Sequence, residues 1–176
     1  DSLLIDPVRT NWALTRSVAD SVKKIEATNP STYHKSLKTE VEAMNIRKAM
    51  VKDGVAMTRF FYWLEKAAAS GDQTEYTLGH QLEVFRAEQE GFQGPSFSPI
   101  VGYQGNGAIV HYSAQEDTAA TIQQSGILLI DSGGQYLEGT TDITRTIALG
   151  PPSQVQKRDF TLVLKGMIGL TTAVFP

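Results

Sequence analysis

The spacing of apolar positions changes along the chain, and each change of period predicts an element. Leu3-Leu4-Ile5 has a short buried-strand pattern, stopped by Asp6-Pro7 because proline cannot donate to a strand ladder. Thr10 is placed to cap a short helix through Asn11-Trp12-Ala13-Leu14. Lys23 to Ala27 reads as a second short strand, with Asn29-Pro30 as a turn after it. Thr39-Glu40-Val41-Glu42 is a capping box, in which hydroxyl and carboxylate each satisfy a free backbone amide. From there Val41, Met44, Met50, Val51, Val55, Phe60, Phe61 and Leu64 recur at helical spacing to about Ala69, a stripe expected to be core. Gly54 lies inside this helix at a cost of about 1 kcal/mol against alanine, which predicts close packing there. Ser70-Gly71 ends the helix.

Thr74 opens a second helix with Leu78, Leu82, Val84 and Phe85 as its apolar side, ending near Gly91. His80 has no acidic or histidine partner one turn on, so a surface or capping position is expected. Pro95 to Tyr103 turns into strand structure. Gly102, Gly105 and Gly107 then suggest close approach by another backbone or a ligand. Ala108 to Tyr112 reads as an apolar strand with His111 near its end. Ala114 to Gly126 is polar and irregular, with a short helical turn expected at Thr118 to Gln124. Ser153 is the expected N-cap of a last helix whose apolar side is Val155, Phe160, Val163, Leu164, Met167 and Ile168.

The candidate chemistry lies in Ile127 to Thr146. Four aliphatic residues run straight into Asp131, two glycines turn the chain, and Gly139-Thr140-Thr141 leads into Asp142. Ile143, Arg145 and Ile147 then alternate with Thr144 and Thr146 as a strand does. Two carboxylates are therefore expected on neighbouring strands. An ionised carboxylate at the end of an apolar strand is costly unless it is paired, hydrogen-bonded or bound to a metal. Asp131-Ser132-Gly133 is also compatible with an ordinary turn, and Asp142 with an ion pair to Arg145. An aliphatic run ending in Asp-Ser-Gly is in addition the local signature of an aspartic protease half-site; no second such loop occurs, so that reading requires a homodimer. His111 is compatible with a hydrogen-bonded core histidine.

Composition narrows the classes. The 176 residues are 41% hydrophobic and 20% charged with a formal net charge of −3, an ordinary globular balance. No basic cluster is present, which argues against nucleic acid or an anionic membrane surface as the main partner. With no cysteine, disulfides, thiolate catalysis and cysteine zinc sites are excluded. No uninterrupted apolar run of about 18 residues occurs, and no signal-peptide pattern starts at Asp1, so a cytoplasmic location is the expectation.

DSGGQYLEGTTDITRT, with Asp131 and Asp142 eleven positions apart, closely resembles the metal-binding hairpin of the aminopeptidase P family, the Xaa-Pro aminopeptidases of the pita-bread metallopeptidases. Asn106 to Tyr112 resembles the family's histidine-bearing strand, Phe160 to Gly166 with Val174-Phe175-Pro176 the helix after the hairpin, and Phe60 to Glu65 the end of its long first helix. The resemblance implies an α+β fold: the first half of a pita-bread domain, with long helices packed on a mostly antiparallel sheet. Residues 1–35 would be the tail of a preceding creatinase-like domain and 36–176 the first half of the catalytic domain.

It further implies a dinuclear site of divalent ions, usually manganese, sometimes cobalt or zinc. Asp131 would bind one ion, Asp142 would bridge both, and His111 would contact substrate as the catalytic histidine. Thr144 and Thr146 would support the ligands, and Arg145 would be structural. The substrate would be a peptide with proline in second position. Three further family ligands, a histidine and two glutamates, find no match here, and none of Glu65, Glu75, Glu83 or Glu88 has the context to replace them. Beginning at Asp1 and stopping at Pro176, the chain reads as a piece of a longer polypeptide, expected to be inactive and metal-poor alone. An unpaired half-domain should associate with its missing half, with itself as a homodimer, or with a partner. A non-catalytic pita-bread module that binds peptides or histones is the remaining alternative, and intact Asp131 and Asp142 weigh against it.

Overall fold

In the computed structural model, which describes residues 1–175, the chain divides into two compact units, Asp1–Met44 and Asn45–Pro176. In the first, strands β1 (Ser2–Ile5) and β2 (Lys23–Glu26) pair in parallel around helix α1 (Trp12–Ser17) in the chain order. The cap of α1 is Asn11 rather than Thr10: its side chain accepts the Ala13 amide at 2.8 Å, and Asn is the stronger capping residue. Asn29-Pro30 is likewise the start of a helix and not a free turn. Asn29 caps α2 (Pro30–Ser36), with Pro30 at the first turn where no amide is needed. Asp6 does more than end β1. Its carboxylate accepts the amides of Val8 (3.1 Å) and Asn29 (2.9 Å), which holds its pKa below the ordinary 3.8.

The long helix α3 spans Glu40–Ala67. Its capping box forms as the sequence predicts, with the Thr39 amide on Glu42 (2.8 Å) and the Glu42 amide on Thr39 (3.2 Å). The face it buries in the second unit agrees with the predicted one only towards its end, at Phe60 and Leu64. Ala49, Asp53, Ala56, Met57, Phe60 and Leu64 are buried, whereas Val41, Met44, Met50, Val51 and Val55 are exposed. The true stripe has an aspartate in its middle and two alanines, which hides it from an apolar count. Gly54 is on the open side, with nothing within 4 Å of a built Cβ, so no close packing selects it.

Helix α4 (Glu75–Ala87) is capped by Thr74 and Thr77, each bonding the other's amide. Leu78 and Leu82 are fully buried while Val84 is exposed. His80 is exposed against the Tyr76 ring at 4.6 Å, as expected of a surface position. Two three-stranded antiparallel sheets follow. One orders β3 (Phe92–Pro95), β6 (Gly134–Tyr136) and β7 (Gly139–Thr140) as β3-β6-β7. The other orders β4 (Ile100–Tyr103), β5 (Ile127–Ser132) and β8 (Ile143–Ala148) as β4-β5-β8.

In β5 burial alternates, so Leu128, Ile130 and Ser132 face inward and Ile127, Leu129 and Asp131 face the other way. The inward face joins Val101, Tyr103 and Ile143 and packs on Phe60, Leu64, Leu78, Leu82 and Ile122 from the helices and the 114–126 segment. Phe60, Trp63 and Phe85 stack edge-on or tilted at the helix pair. Ile122 is fully buried, and the expected helical turn at Thr118 to Gln124 does not form. The turn closes earlier, on the Gln115 carbonyl, and Thr121 bridges to Thr74 instead.

Ala108 to Tyr112 is not a strand. Gln104–Ala108 is a short 3-10 helix, followed by a turn in which His111 has φ +56° and is exposed. The glycines explain why the apolar alternation fails to extend. A Cβ on Gly102 would sit 2.6 Å from the Gly107 Cα, so the chain folds back on itself at these two glycines. Gly105, by contrast, has open space around it.

The last helix, α5 (Gln154–Thr172), takes its cap from Ser153 and Gln156 as a capping box. Its expected apolar side, Val155, Phe160, Val163, Leu164, Met167 and Ile168, is exposed throughout.

Candidate metal centre

The 127–148 hairpin arises from local chemistry: four aliphatics for a central strand, glycines for the turn and alternating Thr/Ile for an edge strand. Antiparallel register puts Asp131 opposite Ile100 on one side and Thr144 on the other. Directly opposed residues share a face, so Asp131 and Thr144 lie together on the face away from the core. There the Thr144 hydroxyl donates to Asp131 Oδ1 at 2.8 Å. This bond fixes the carboxylate and leaves its second oxygen available. Asp131 is half-buried, and neither it nor Asp142 takes part in an ion pair among the described residues. Arg145 is not the partner of Asp142; its guanidinium donates to the Thr144 carbonyl at 2.8 Å.

Asp142 is exposed and immediately precedes β8. Its position is set by its neighbour. Thr141 is buried, donates its hydroxyl to Asp53 Oδ2 (2.8 Å) and accepts the Gly134 amide (2.9 Å). The Thr141 amide bonds the Gly134 carbonyl (2.9 Å), and the Thr141 carbonyl accepts the Ser96 hydroxyl (2.9 Å). Gly133 packs so tightly here that a side chain would collide with the Thr141 carbonyl. The backbone leading into Asp142 is thus clamped on every polar atom.

Asp53 anchors that clamp from α3. It is completely buried and forms a two-point ion pair with Arg86 of α4, Nε to Oδ1 at 2.5 Å and Nη2 to Oδ2 at 3.2 Å. The Tyr136 hydroxyl donates to Asp53 Oδ1 at 3.0 Å, and burial, then the nearby Asp53 charge, push the Tyr136 pKa upward so that it remains a donor. Asp53, Arg86, Tyr136 and Thr141 carry the geometry of the hairpin, and the sequence reading did not single out any of them. A signal existed: Asp53 and Arg86 each fall on the helical repeat of buried positions, Ala49-Asp53-Met57 and Leu78-Leu82-Arg86. Buried charges of opposite sign on adjacent helices call for each other.

The donor set suits a hard divalent cation, since carboxylate oxygens favour such ions. It is incomplete within this chain: among the described residues no group of three or more His, Cys, Asp or Glu side chains could hold a metal ion. His111 lies on the exposed turn after the 3-10 helix, and that helix crosses the Asp131 face of the sheet, where a Cβ on Gly107 would meet Leu129 at 3.5 Å. No helix of the described residues is long and apolar enough to cross a membrane.

Residues 44–176 match metallopeptidase family M24. A probable Xaa-Pro aminopeptidase P of Aspergillus flavus is 40% identical over 170 residues, and the aligned part covers 96% of this chain and 26% of that relative. The corresponding protein of Talaromyces marneffei is 41% identical over the same share of each. Among solved structures, the X-prolyl aminopeptidase of Caenorhabditis elegans, a cytosolic enzyme with a di-nuclear active site, superposes with a TM-score of 0.88 at 30% identity, over 99% of this chain and 28% of that one. A prolidase of Thermococcus sibiricus shares the fold at a TM-score of 0.71, with 23% identity over 94% of this chain and 43% of its own. The chain therefore spans about a quarter of the length of the curated relatives it matches. The expected α+β class and pita-bread fold hold, with antiparallel sheets against long helices. On its matched residues and these relatives, the chain belongs to metallopeptidase family M24.

Proposed function

We propose that this chain contributes to a metal-dependent Xaa-Pro aminopeptidase, an enzyme that removes the N-terminal residue from peptides with proline in second position. The observation that carries the reading is the hairpin itself. Thr144 orients Asp131, and the Asp53-anchored clamp on Thr141 fixes the approach to Asp142, in a chain of family M24. Asp131 would hold one divalent ion and Asp142 would bridge two, manganese being the ion that carboxylate-rich coordination suits. When bound, such a pair supplies a hydroxide of lowered pKa and stabilises the oxyanion formed at a peptide carbonyl. This chain's own residues do the rest of the local work. Thr144 keeps one Asp131 oxygen engaged, the buried network prevents the hairpin from shifting, and His111 would contact the substrate from its exposed turn. The domain boundary near residue 35, a cytoplasmic setting and a homodimeric assembly belong to this same reading.

Two carboxylates without further donors bind a divalent ion weakly. Residues 1–176 alone should therefore take up Mn²⁺ with low affinity and release no N-terminal residue from a Xaa-Pro peptide. In the enzyme that contains them, chelation should abolish hydrolysis and Mn²⁺ should restore it, and Asp131→Asn or Asp142→Asn should lower metal content and kcat together. Calorimetric Mn²⁺ titration with a hydrolysis assay decides the matter. Unchanged metal uptake in both variants, or hydrolysis indifferent to chelation, would sink the reading.

A further inference from the structure

Glu75, the first residue of α4, is completely buried, and its charge has no cationic partner among the described residues. Every side-chain hydrogen bond it makes reaches into one segment. Oε1 accepts the Tyr103 amide at 2.7 Å and the Asn106 side-chain amide at 3.0 Å. Oε2 accepts the Tyr112 hydroxyl at 2.8 Å and the Ala120 amide at 2.9 Å, with Asn106 again at 3.2 Å. Asn106 also donates to the Tyr112 oxygen at 3.1 Å, which closes the network on itself. A buried carboxylate is tolerated when such donors spread its charge, and the N-terminus of α4 favours a negative group. The α4 backbone adds a stitch, the Glu75 amide to the Ala120 carbonyl at 3.1 Å.

The segment so gathered, 103 to 120, contains His111 between the Asn106 and Tyr112 anchors and directly beside the second. His111 occupies the left-handed region at φ +56°, which a residue with a Cβ disfavours and keeps only where its surroundings impose it. The next residue, Tyr112, is tied to Glu75, and Asn106 is tied there just before the turn.

We propose that Glu75 is a positioning residue: by gathering Tyr103, Asn106, Tyr112 and Ala120 onto one buried carboxylate, it fixes the loop that carries His111. The functional part of this inference rests on the reading of His111 as the active-site histidine; the structural part does not. The hydrogen bond to Glu75, with burial, also pushes the Tyr112 pKa above its usual value, which keeps that hydroxyl a donor.

Glu75→Gln replaces one acceptor oxygen with an NH₂ that faces a backbone amide or the Asn106 donor. Tyr112→Phe removes a single tether and keeps the ring, so it remains informative if Glu75→Gln fails to fold. In both variants, amides of residues 104–119 should exchange at least tenfold faster and the His111 imidazole resonances should shift, while β5 and β8 amides keep their protection. Unchanged loop exchange and unchanged His111 signals in Tyr112→Phe would overturn the proposal, as would equal acceleration in β5, which would mean general destabilisation. In the active enzyme, both variants should lower kcat at least tenfold with little change in KM, and neither should lower it further once His111 is alanine. Full activity of His111→Ala would overturn the functional part alone, because the exchange result is read independently of turnover.

Discussion

At the scale of single residues, the most exacting position is Arg86 rather than Asp131 or Asp142. Asp53 has four donors: two guanidinium nitrogens, a phenol and a threonine hydroxyl. Removal of a surface ion-pair partner is nearly neutral, but removal of one partner of a buried pair strands the other charge in a low-dielectric interior. Arg86→Ala should accordingly cost roughly 3–5 kcal/mol in a urea unfolding experiment, the range for broken buried pairs. Asp53→Ala should fall in the same range, and the double change to apolar residues of similar volume should recover most of the loss. A loss below about 1 kcal/mol for Arg86→Ala would show that water reaches the pair. Because Thr141 hangs from Asp53 and Asp142 follows Thr141, the metal uptake proposed for Asp142 should weaken in the same variants.

At the scale of elements, the sequence was legible where a short stretch contains its own instructions. The helix starts at Thr39, Thr74 and Ser153 were readable because their capping bonds span three residues, and β5 and β8 because each has its own apolar or alternating pattern. It was illegible where tertiary partners decide. The Val41-Met44-Val51-Val55 stripe is more apolar than the Ala49-Asp53-Met57 stripe, yet the second is buried because Asp53 finds Arg86 across the helix pair. The Ala108 to Tyr112 run failed as a strand because Gly102 and Gly107 let the backbone fold onto itself, and Glu75 then captures the loop.

The β6–β7 hairpin shows a similar long-range tie. Lys52 of α3 donates to Glu138 Oε1 at 2.5 Å and to the Glu90 carbonyl at 2.7 Å. The Lys52 hydrogen bond, ahead of smaller effects, holds the Glu138 pKa below its ordinary 4.5. A carboxylate whose folded pKa is depressed stabilises the fold above its unfolded pKa, and that contribution is lost as pH falls through the lowered folded value. Amides of β6 and β7 should therefore lose protection, relative to those of β5, as the pH falls below about 4.5. Glu138→Gln should lower protection at neutral pH and flatten this dependence. An identical pH profile in Glu138→Gln and the parent chain would remove Lys52–Glu138 as its source.

At the scale of the whole second unit, the outstanding feature is the apolar side of α5. Phe160 (48%), Val163 (74%), Met167 (55%) and Leu170 (69%) are exposed on a helix with no buried residue. The helix flanks a cleft against β8, with Ile127, Ile147, Ala148, Pro152 and Phe160 along its walls. Among the described residues β8 is an edge strand, paired only with β5, so its outer row of amides and carbonyls adjoins the same apolar region. Contiguous apolar surface beside an open sheet edge favours association, because burial releases about 25 cal/mol per Å² of apolar area and pairing satisfies the edge. Residues 1–176 should therefore sediment as a concentration-dependent mixture of monomer and larger species. The double substitution Phe160→Lys with Met167→Lys places two charges on the exposed side of α5 without touching the buried core. It should shift the mixture to monomer while circular dichroism remains unchanged. A parent chain that sediments as a single monomer across a hundredfold range of concentration would show that this apolar face does not drive self-association.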